Sequence, residues 1–337
     1  MIPHATRAPR RTAAAMAAAL LLPLCAPGAH AEAPAPLNDY PRQAITLVSP
    51  FPPGGGNDGV ARLLANELGR ITGQSVVVEN RSGAGGNMGT AAVARAKPDG
   101  YTLVLSQNSV MAVNPAIYKN TGFDALKDFA PVSQITSAPL ALVVRNESPY
   151  RTLADYLNDA KARPGAVTYA TPGNGTLSHL TGVLLARQKD LSLVHVPYRG
   201  AGPAVNDLLG GTVDMLITSP PSVESLVTGG KLRVLGVTHE SRIGAFEKAP
   251  TLAGQGIKDV SIEGWYGVFA PAGTPPERIA YLASAISQAA RTPAVLDKIR
   301  QDGAEVVASD PATFARKLHE ETTYWAGVVK SAKLAVD

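Results

Sequence analysis

The sequence predicts an α/β protein with mostly parallel sheets, organised as two domains. Three observations carry this. From Tyr40 onward, short apolar runs alternate with segments of helical periodicity. The junctions between them are repeatedly Pro- and Gly-rich, first in FPPGGGNDGVAR (51–62) and again in TPGNGT (171–176). Beyond a targeting segment the chain runs to roughly 300 residues, enough for a large core that usually splits in two.

Residues 1–31 read as that targeting segment. Arg7, Arg10 and Arg11 form a basic start, Ala13 to Leu24 is apolar apart from Pro23, and Ala29-His30-Ala31 supplies small residues for cleavage near Ala31. The apolar run is shorter than the ~20 residues that span a bilayer. General secretory export to the periplasm is expected over a twin-arginine route. Lipidation of Cys25 is not expected, because bulky Leu24 stands where a small residue belongs. Residues 32–39, rich in Ala and Pro, read as a loose leader.

Cys25 is the only cysteine, so the exported chain is expected to hold no disulfide, thiol nucleophile or thiolate metal site. The net charge of +4 includes the three arginines of the targeting segment. Without them, 28 basic side chains face 27 acidic ones. With no basic run and few aromatics, nucleic acid and membrane surfaces are not expected as partners. No histidine pair has metal spacing, and neither a metal nor a cofactor is expected.

The first strand is Ile45-Thr46-Leu47-Val48, and its glycine loop leads into a helix at Val60–Leu68, with Asn57 or Asp58 as cap. Such a helix start has unpaired N–H groups and roughly half a positive charge, so it suits an anion. It is no Walker loop, since no Gly-Lys-Ser/Thr closes it. Ser75–Glu79 is the second strand, followed by the turn 80–87 and a helix at Thr90–Ala96. That turn lacks the spacing and the later acidic residue of a dinucleotide fingerprint; tight packing of helix on strand is the reading adopted. Further strands are expected at 101–105, 140–145, 167–170, 193–198, 213–217, 232–237 and 266–270. Helices are expected at 153–162, 177–185, 204–209, 277–291, 293–302 and 311–331. In the last helix Phe314, Leu318, Tyr324, Trp325 and Val328 form a buried stripe.

Several segments, taken together, match one family nearly end to end: FPPGGGNDGVAR (51–62), VVVENRSGAGGNMGTAAVARAKPDGYTL (76–103), YATPGNGTLSHL (169–180), HVPYRGAGPAVNDLLGGTVD (195–214), GKLRVLGVT (230–238) and WYGVFAPAGTPP (265–276). The chain closely resembles the periplasmic solute-binding proteins of tripartite tricarboxylate transporters, the Bug or TctC family. It departs at Arg199, where the family usually has lysine. The resemblance implies a type II periplasmic binding protein, two α/β lobes with a ligand cleft between them. Lobe 1 would be residues 40–139 and 272–337, lobe 2 residues 146–265, and the crossings 140–145 and 266–271. It implies a monomer that binds a small organic carboxylate through backbone groups and bridging waters, and that works with the membrane components of such a transporter.

The residues agree with that reading. Loops 54–58 and 172–176 would face each other, each offering backbone donors. The expected ligand-binding residues are Phe51, Gly55, Gly56, Asn57, Asp58, Asn108, Gly173, Asn174, Gly175, Thr176, Tyr198, Gly200 and Asp207. Asp58 and Asp207 have structural alternatives, as a helix cap and as a loop tether. His179 and His195 are expected to support the site from behind, and Trp265 to pack near the hinge. The competing reading is a secreted serine hydrolase or transferase using Ser178 and His195, but no Gly-x-Ser-x-Gly elbow or acidic partner accompanies them.

Overall fold

Buried on both faces, Ile45, Leu47 and Val48 are at most 1 % exposed, and so are Leu103, Val104 and Leu105. Continuous apolar runs of this kind form parallel strands covered by helices on both sides. The structure, a computed structural model, describes residues 1–4, 37, 40–240, 244–258, 260 and 262–332. The expected targeting segment lies outside the described residues except for Met1–His4, which are exposed and without regular structure; Cys25 and the cleavage point near Ala31 lie outside them too.

In chain order, β1 (Ile45–Ser49), α1 (Gly56–Thr72), β2 (Val76–Asn80), α2 (Asn87–Ala94), β3 (Thr102–Gln107), α3 (Asn114–Ile117) and β4 (Phe129–Gln134) come first. After β5 (Thr136–Pro139) come β6 (Ala141–Arg145), α4 (Leu153–Ala162), β7 (Thr168–Thr171), α5 (Leu177–Gln188), β8 (Val194–Pro197), α6 (Ala201–Gly210), β9 (Met215–Thr218), α7 (Glu224–Thr228) and β10 (Leu232–Val237). Then β11 (Glu263–Gly264), β12 (Tyr266–Pro271), α8 (Pro276–Ala290), α9 (Pro293–Gln301), β13 (Glu305–Val306) and α10 (Pro311–Ala332) complete the described chain.

The strands form two five-stranded sheets of matched topology. The first has the order β2-β1-β3-β12-β4 and the second, read from its other edge, β8-β7-β9-β6-β10. In each, a central strand has parallel neighbours, β1 with β2 and β3, β7 with β8 and β9. In each, the fourth strand is antiparallel to its neighbours, β12 in the first and β6 in the second. That fourth strand is supplied by the segment that has just arrived from the other sheet. The chain changes sheets through β5 and β11, which pair with each other in a small third sheet where β5 also pairs with β13.

This shifts the expected crossings. Residues 141–145 and 266–271 are strands of the large sheets, and the passages lie a few residues earlier, at β5 and β11. Thr-Ser-Ala-Pro and Glu-Gly are too short and polar to register as strands in a sequence. The stripe of α10 also needs one correction. Phe314, Leu318, Trp325 and Val328 are buried, but Tyr324 is 39 % exposed. It stands one residue, about 100° of helix turn, from Trp325, and meets that ring edge-on at 5.0 Å. Trp325, Val328 and Val329 pack into the same cluster as Leu142, Leu180 and Ile217 around the second sheet, while Phe314 and Leu318 join Val104 and Phe269 of the first. α10 thus spans both sheets.

The turn at 80–87 packs as read. A β-carbon on Gly89 would stand 2.3 Å from the Arg81 carbonyl oxygen and 3.0 Å from Pro50 Cα, both backbone atoms. Gly89→Ala is expected to lower stability by about 1–3 kcal/mol, read as a fall in the urea midpoint with an unchanged m-value.

Candidate functional site

Parallel strands deliver their connections to the same end of a sheet, where open α/β folds place their sites. Four such connections meet around one cavity of about 690 Å³. The exits of β1 (Gly54–Gly56 and Asp58–Val60) and β3 (Gln107–Ser109) line it from the first sheet. The equivalent exits of β7 (Pro172, Thr176–Ser178) and β9 (Ser219, Pro221, Ser222) line it from the second. Thr136, Ala138, Gly264 and Trp265 of the crossings form its base.

Two helix starts open onto this space. α1 begins at Gly56 after Gly55, with no side-chain cap. Its first intrahelical bond is Gly59 N–H to Gly55 O at 2.9 Å, so the earlier N–H groups of its first turn have no intrahelical partner. The helix therefore starts earlier than the expected cap residues Asn57 and Asp58, which stand inside the first turn. Asn57 is fully engaged: its Oδ1 accepts from Ser49 Oγ at 2.8 Å and its Nδ2 donates to Leu105 O at 3.0 Å. α5 follows the expected plan. Thr176 is its cap, with Oγ1 accepting from His179 N at 3.3 Å and donating to Gly173 O at 2.8 Å. The amides of Leu177 and Ser178 precede the first intrahelical bond, made by Leu180 N–H to Thr176 O.

Asp58 borders the cavity but is saturated. Oδ2 accepts from Gly54 N at 2.9 Å and Arg62 Nε at 3.0 Å, and Oδ1 from Asn80 Nδ2 at 2.9 Å. The Arg62 hydrogen bond, above all, holds its pKa down at about 2 against burial. Its charge is thereby neutralised and fastens the loop. Behind the second loop, His179 Nδ1 accepts from Gly175 N at 3.1 Å. Its ring stacks on His195 at 4.0 Å, and His195 stacks in turn on Tyr169. Burial lowers the pKa of both histidines, that of His195 to about 4, so both rings are neutral at pH 7 and Nδ1 stays an acceptor. Gly175 itself sits at φ +71°, in the left-handed region.

The base of the cavity is tied to a partly buried ionic cluster. Trp265 Nε1 donates to both carboxylate oxygens of Glu321 at 2.9 and 3.0 Å. Lys317 pairs with Glu263 and Glu321, and Ser137 donates to Glu263. Burial raises the Glu321 pKa and lowers that of Lys317. Asn108 borders the cavity, and its Nδ2 donates to Glu263 O of the crossing at 2.6 Å.

Of the expected residues, Gly55, Gly56, Asp58, Asn108 and Thr176 border the cavity. Phe51, Asn57, Gly173, Asn174, Gly175, Tyr198, Gly200 and Asp207 do not. Phe51 lies against Gly86, its Cζ 3.2 Å from where a β-carbon would stand. The Tyr198 hydroxyl donates to Asp207 at 2.6 Å, the tether alternative for Asp207. Gly200 caps α6. Sequence reasoning missed Gln107, Ser109, Ser219, Ser222, Tyr266, Lys298 and Asp302. The repeat of topology flags the serines, because the ends of β3 and β9 are equivalent; nothing local flags Lys298 and Asp302 on and beyond α9. No hydrogen bond joins Ser178 to His195 among the described residues, and His195 Nε2 is paired with Thr171 Oγ1 at 2.7 Å. That geometry gives the hydrolase reading no support.

Two α/β lobes of matched topology, joined by short crossings around a shared cavity, define a two-lobed solute-binding protein, the fold class expected from the sequence. The family model described as "Tripartite tricarboxylate transporter family receptor" (TctC) matches residues 60–334. The chain belongs to this family. It is 38 % identical over 299 residues to Protein BugT of Bordetella pertussis, covering 88 % of this chain and 92 % of that one. Among solved structures, Rpa4515 of R. palustris, with adipate, is 33 % identical with a TM-score of 0.75, covering 88 % of this chain and 99 % of that one. MatC (Rpa3494) from Rhodopseudomonas palustris, with bound malate, is 30 % identical with a TM-score of 0.72, covering 86 % and 100 %.

Gly175→Val is expected to abolish ligand binding in calorimetry while leaving the far-ultraviolet circular dichroism of the fold intact; normal binding would place the site elsewhere. Asp58→Asn tests the first loop. A carboxyl with a depressed folded pKa stabilises above its ordinary pKa of 3.8 and loses that contribution as pH falls through about 2. The variant should therefore be less stable than the parent by about 1–2 kcal/mol at pH 7, with the difference closing toward pH 2, followed as Tm against pH.

Proposed function

We propose that this chain is a non-enzymatic receptor, exported to the periplasm with cleavage near Ala31, that works as a monomer. It captures a small organic carboxylate between its lobes and delivers it to the membrane components of a tripartite tricarboxylate transporter. The observation that carries the reading is that two helix starts, α1 and α5, one from each sheet, line the same cavity. A carboxylate between them takes hydrogen bonds from backbone N–H groups of both lobes. Each charge-assisted bond is worth roughly 1.5–3 kcal/mol. A few reach the ~8 kcal/mol of micromolar affinity. This accounts for a chain that recognises anions while nearly neutral overall. The adipate- and malate-bound relatives support the ligand class.

Closing the lobes on the ligand buries those bonds and presents one surface for a membrane partner to read. The lobes we assign are the two sheets with their helices, hinged at the crossings.

The test is ligand-dependent stability with no turnover. At 100-fold excess over Kd, a bound carboxylate should stabilise the chain by about 2.7 kcal/mol, several degrees in Tm, and should be recovered unchanged after prolonged incubation. Conversion of the ligand to product would overturn the receptor reading.

A further inference from the structure

The loop that presents the start of α5 is tied to two imidazole rings. The Gly175 N–H makes one hydrogen bond among the described residues, to His179 Nδ1 at 3.1 Å. His179 is the third residue of α5 after its Thr176 cap, where a side-chain acceptor ordinarily closes a capping box. The other ring, His195 on β8, meets Thr171 Oγ1 through Nε2 at 2.7 Å, and that hydroxyl donates to Gly173 O at 3.2 Å. Both rings therefore reach the segment between Pro172 and Thr176, two residues that line the cavity.

Packing fixes the rings. His179 is buried and lies 4.0 Å from His195 with 9° between the planes, and Tyr169 on β7 stacks on His195 at 4.9 Å. A β-carbon on Gly182, about one turn after His179, would stand 2.1 Å from the Tyr169 ring, so α5 is closed down on the stack. The titratable groups facing the pair are each other and the Tyr169 phenol, whose pKa burial pushes up. Among the described residues no carboxylate or cation offsets a charge on either ring.

Neutral, the His179 ring accepts from Gly175. Protonated, it carries N–H at both nitrogens, and two donors meet at the Gly175 contact. A second proton on His195 would place like charges in rings 4.0 Å apart. Burial, then repulsion by His179, brings the His195 pKa to about 4, so the pair takes its first proton on His179.

We infer that His179 is the positioning residue of the α5 anion site and makes that site acid-labile: a proton on Nδ1 releases Gly175, and the loop lets the ligand go. The inference rests on the carboxylate-receptor reading and goes beyond it by giving the site a condition for release. The held loop binds fewer protons than the released one, so its stability falls as pH drops below the ordinary imidazole value of 6.5. An imidazolium that merely attracted the anion would give the opposite dependence.

The experiment measures Kd for malate, adipate and succinate by calorimetry at pH 7.5 and 4.5, on the parent, His179→Gln and His179→Leu. Protonation of the ligand weakens all three proteins alike and cancels between them. Acid should weaken the parent about fivefold or more beyond its effect on His179→Gln, which keeps an acceptor and does not titrate. His179→Leu, with no acceptor, should bind several-fold more weakly than His179→Gln at pH 7.5. In the ligand-free parent, exchange protection of the Gly175 amide should vanish with the midpoint at which the His179 ring takes up its proton, both followed by NMR. That arm needs no variant to fold. Equal acid losses in the parent and His179→Gln, tighter binding by the parent in acid, or a Gly175 amide indifferent to His179 protonation would each overturn the inference and leave the receptor reading standing. Failure of all three carboxylates to bind the parent at pH 7.5 would overturn both.

Discussion

A backbone N–H at the start of a helix has no partner within that helix, and the fold depends on where it places two sets of them. Each set follows the central strand of a parallel trio, β1 or β7, so each lies at the same end of its sheet. The strand fixes the direction of exit, the Pro/Gly loop turns the chain, and the helix start points at the space between the sheets. Side chains then guard the arrangement from behind. Asp58 fastens Gly54 to α1, and His179 holds Gly175. Neither presents a free charge to the cavity, so the positive ends of the two helices are not cancelled by the residues that support them.

The matched sheets make this arrangement reciprocal. Each receives its antiparallel fourth strand from the segment that has just crossed, so the two lobes are interleaved and cannot be separated by cutting the chain once. The crossings are pinned by an ionic cluster, Glu263, Lys317 and Glu321, with Ser137, Trp265 and Asn108 bonded to it. Removing one member of this partly buried cluster leaves an uncompensated charge, so the cluster holds the crossings in place. Trp265 and Asn108 border the cavity while α10, which carries Lys317 and Glu321, packs on both cores. The base of the cavity and the crossings are in this way one structure.

Much of this was legible from residue pattern. Runs such as Ile45–Val48 and Leu140–Val144 announce buried strands, and TPGNGT announces a turn with Thr176 as cap. The crossings were not legible, because β5, β11 and β13 are held by pairing and by charges distant in sequence, not by apolar pattern. Tyr198, Gly200 and Asp207 follow a glycine loop that leaves an edge strand, β8; Gly200 N donates to Pro172 O of the cavity lining at 2.9 Å, so this loop stands one layer behind the lining residues. Phe51 and Asn57 lie within the glycine motif but point into the packing that supports it. Conversely, Lys298 and Asp302 reach the cavity only because α9 lies against α1, a tertiary fact with no local signature.

The central claim is that main-chain amides of both lobes grip one anion together. It is tested most directly by following backbone amide resonances of 15N-labelled protein during titration with succinate. The account predicts that the Gly56–Asp58 and Leu177–Ser178 amides shift together, with one midpoint, as expected for N–H groups that share a ligand. Shifts confined to one loop, or two loops responding with separate midpoints, would contradict it.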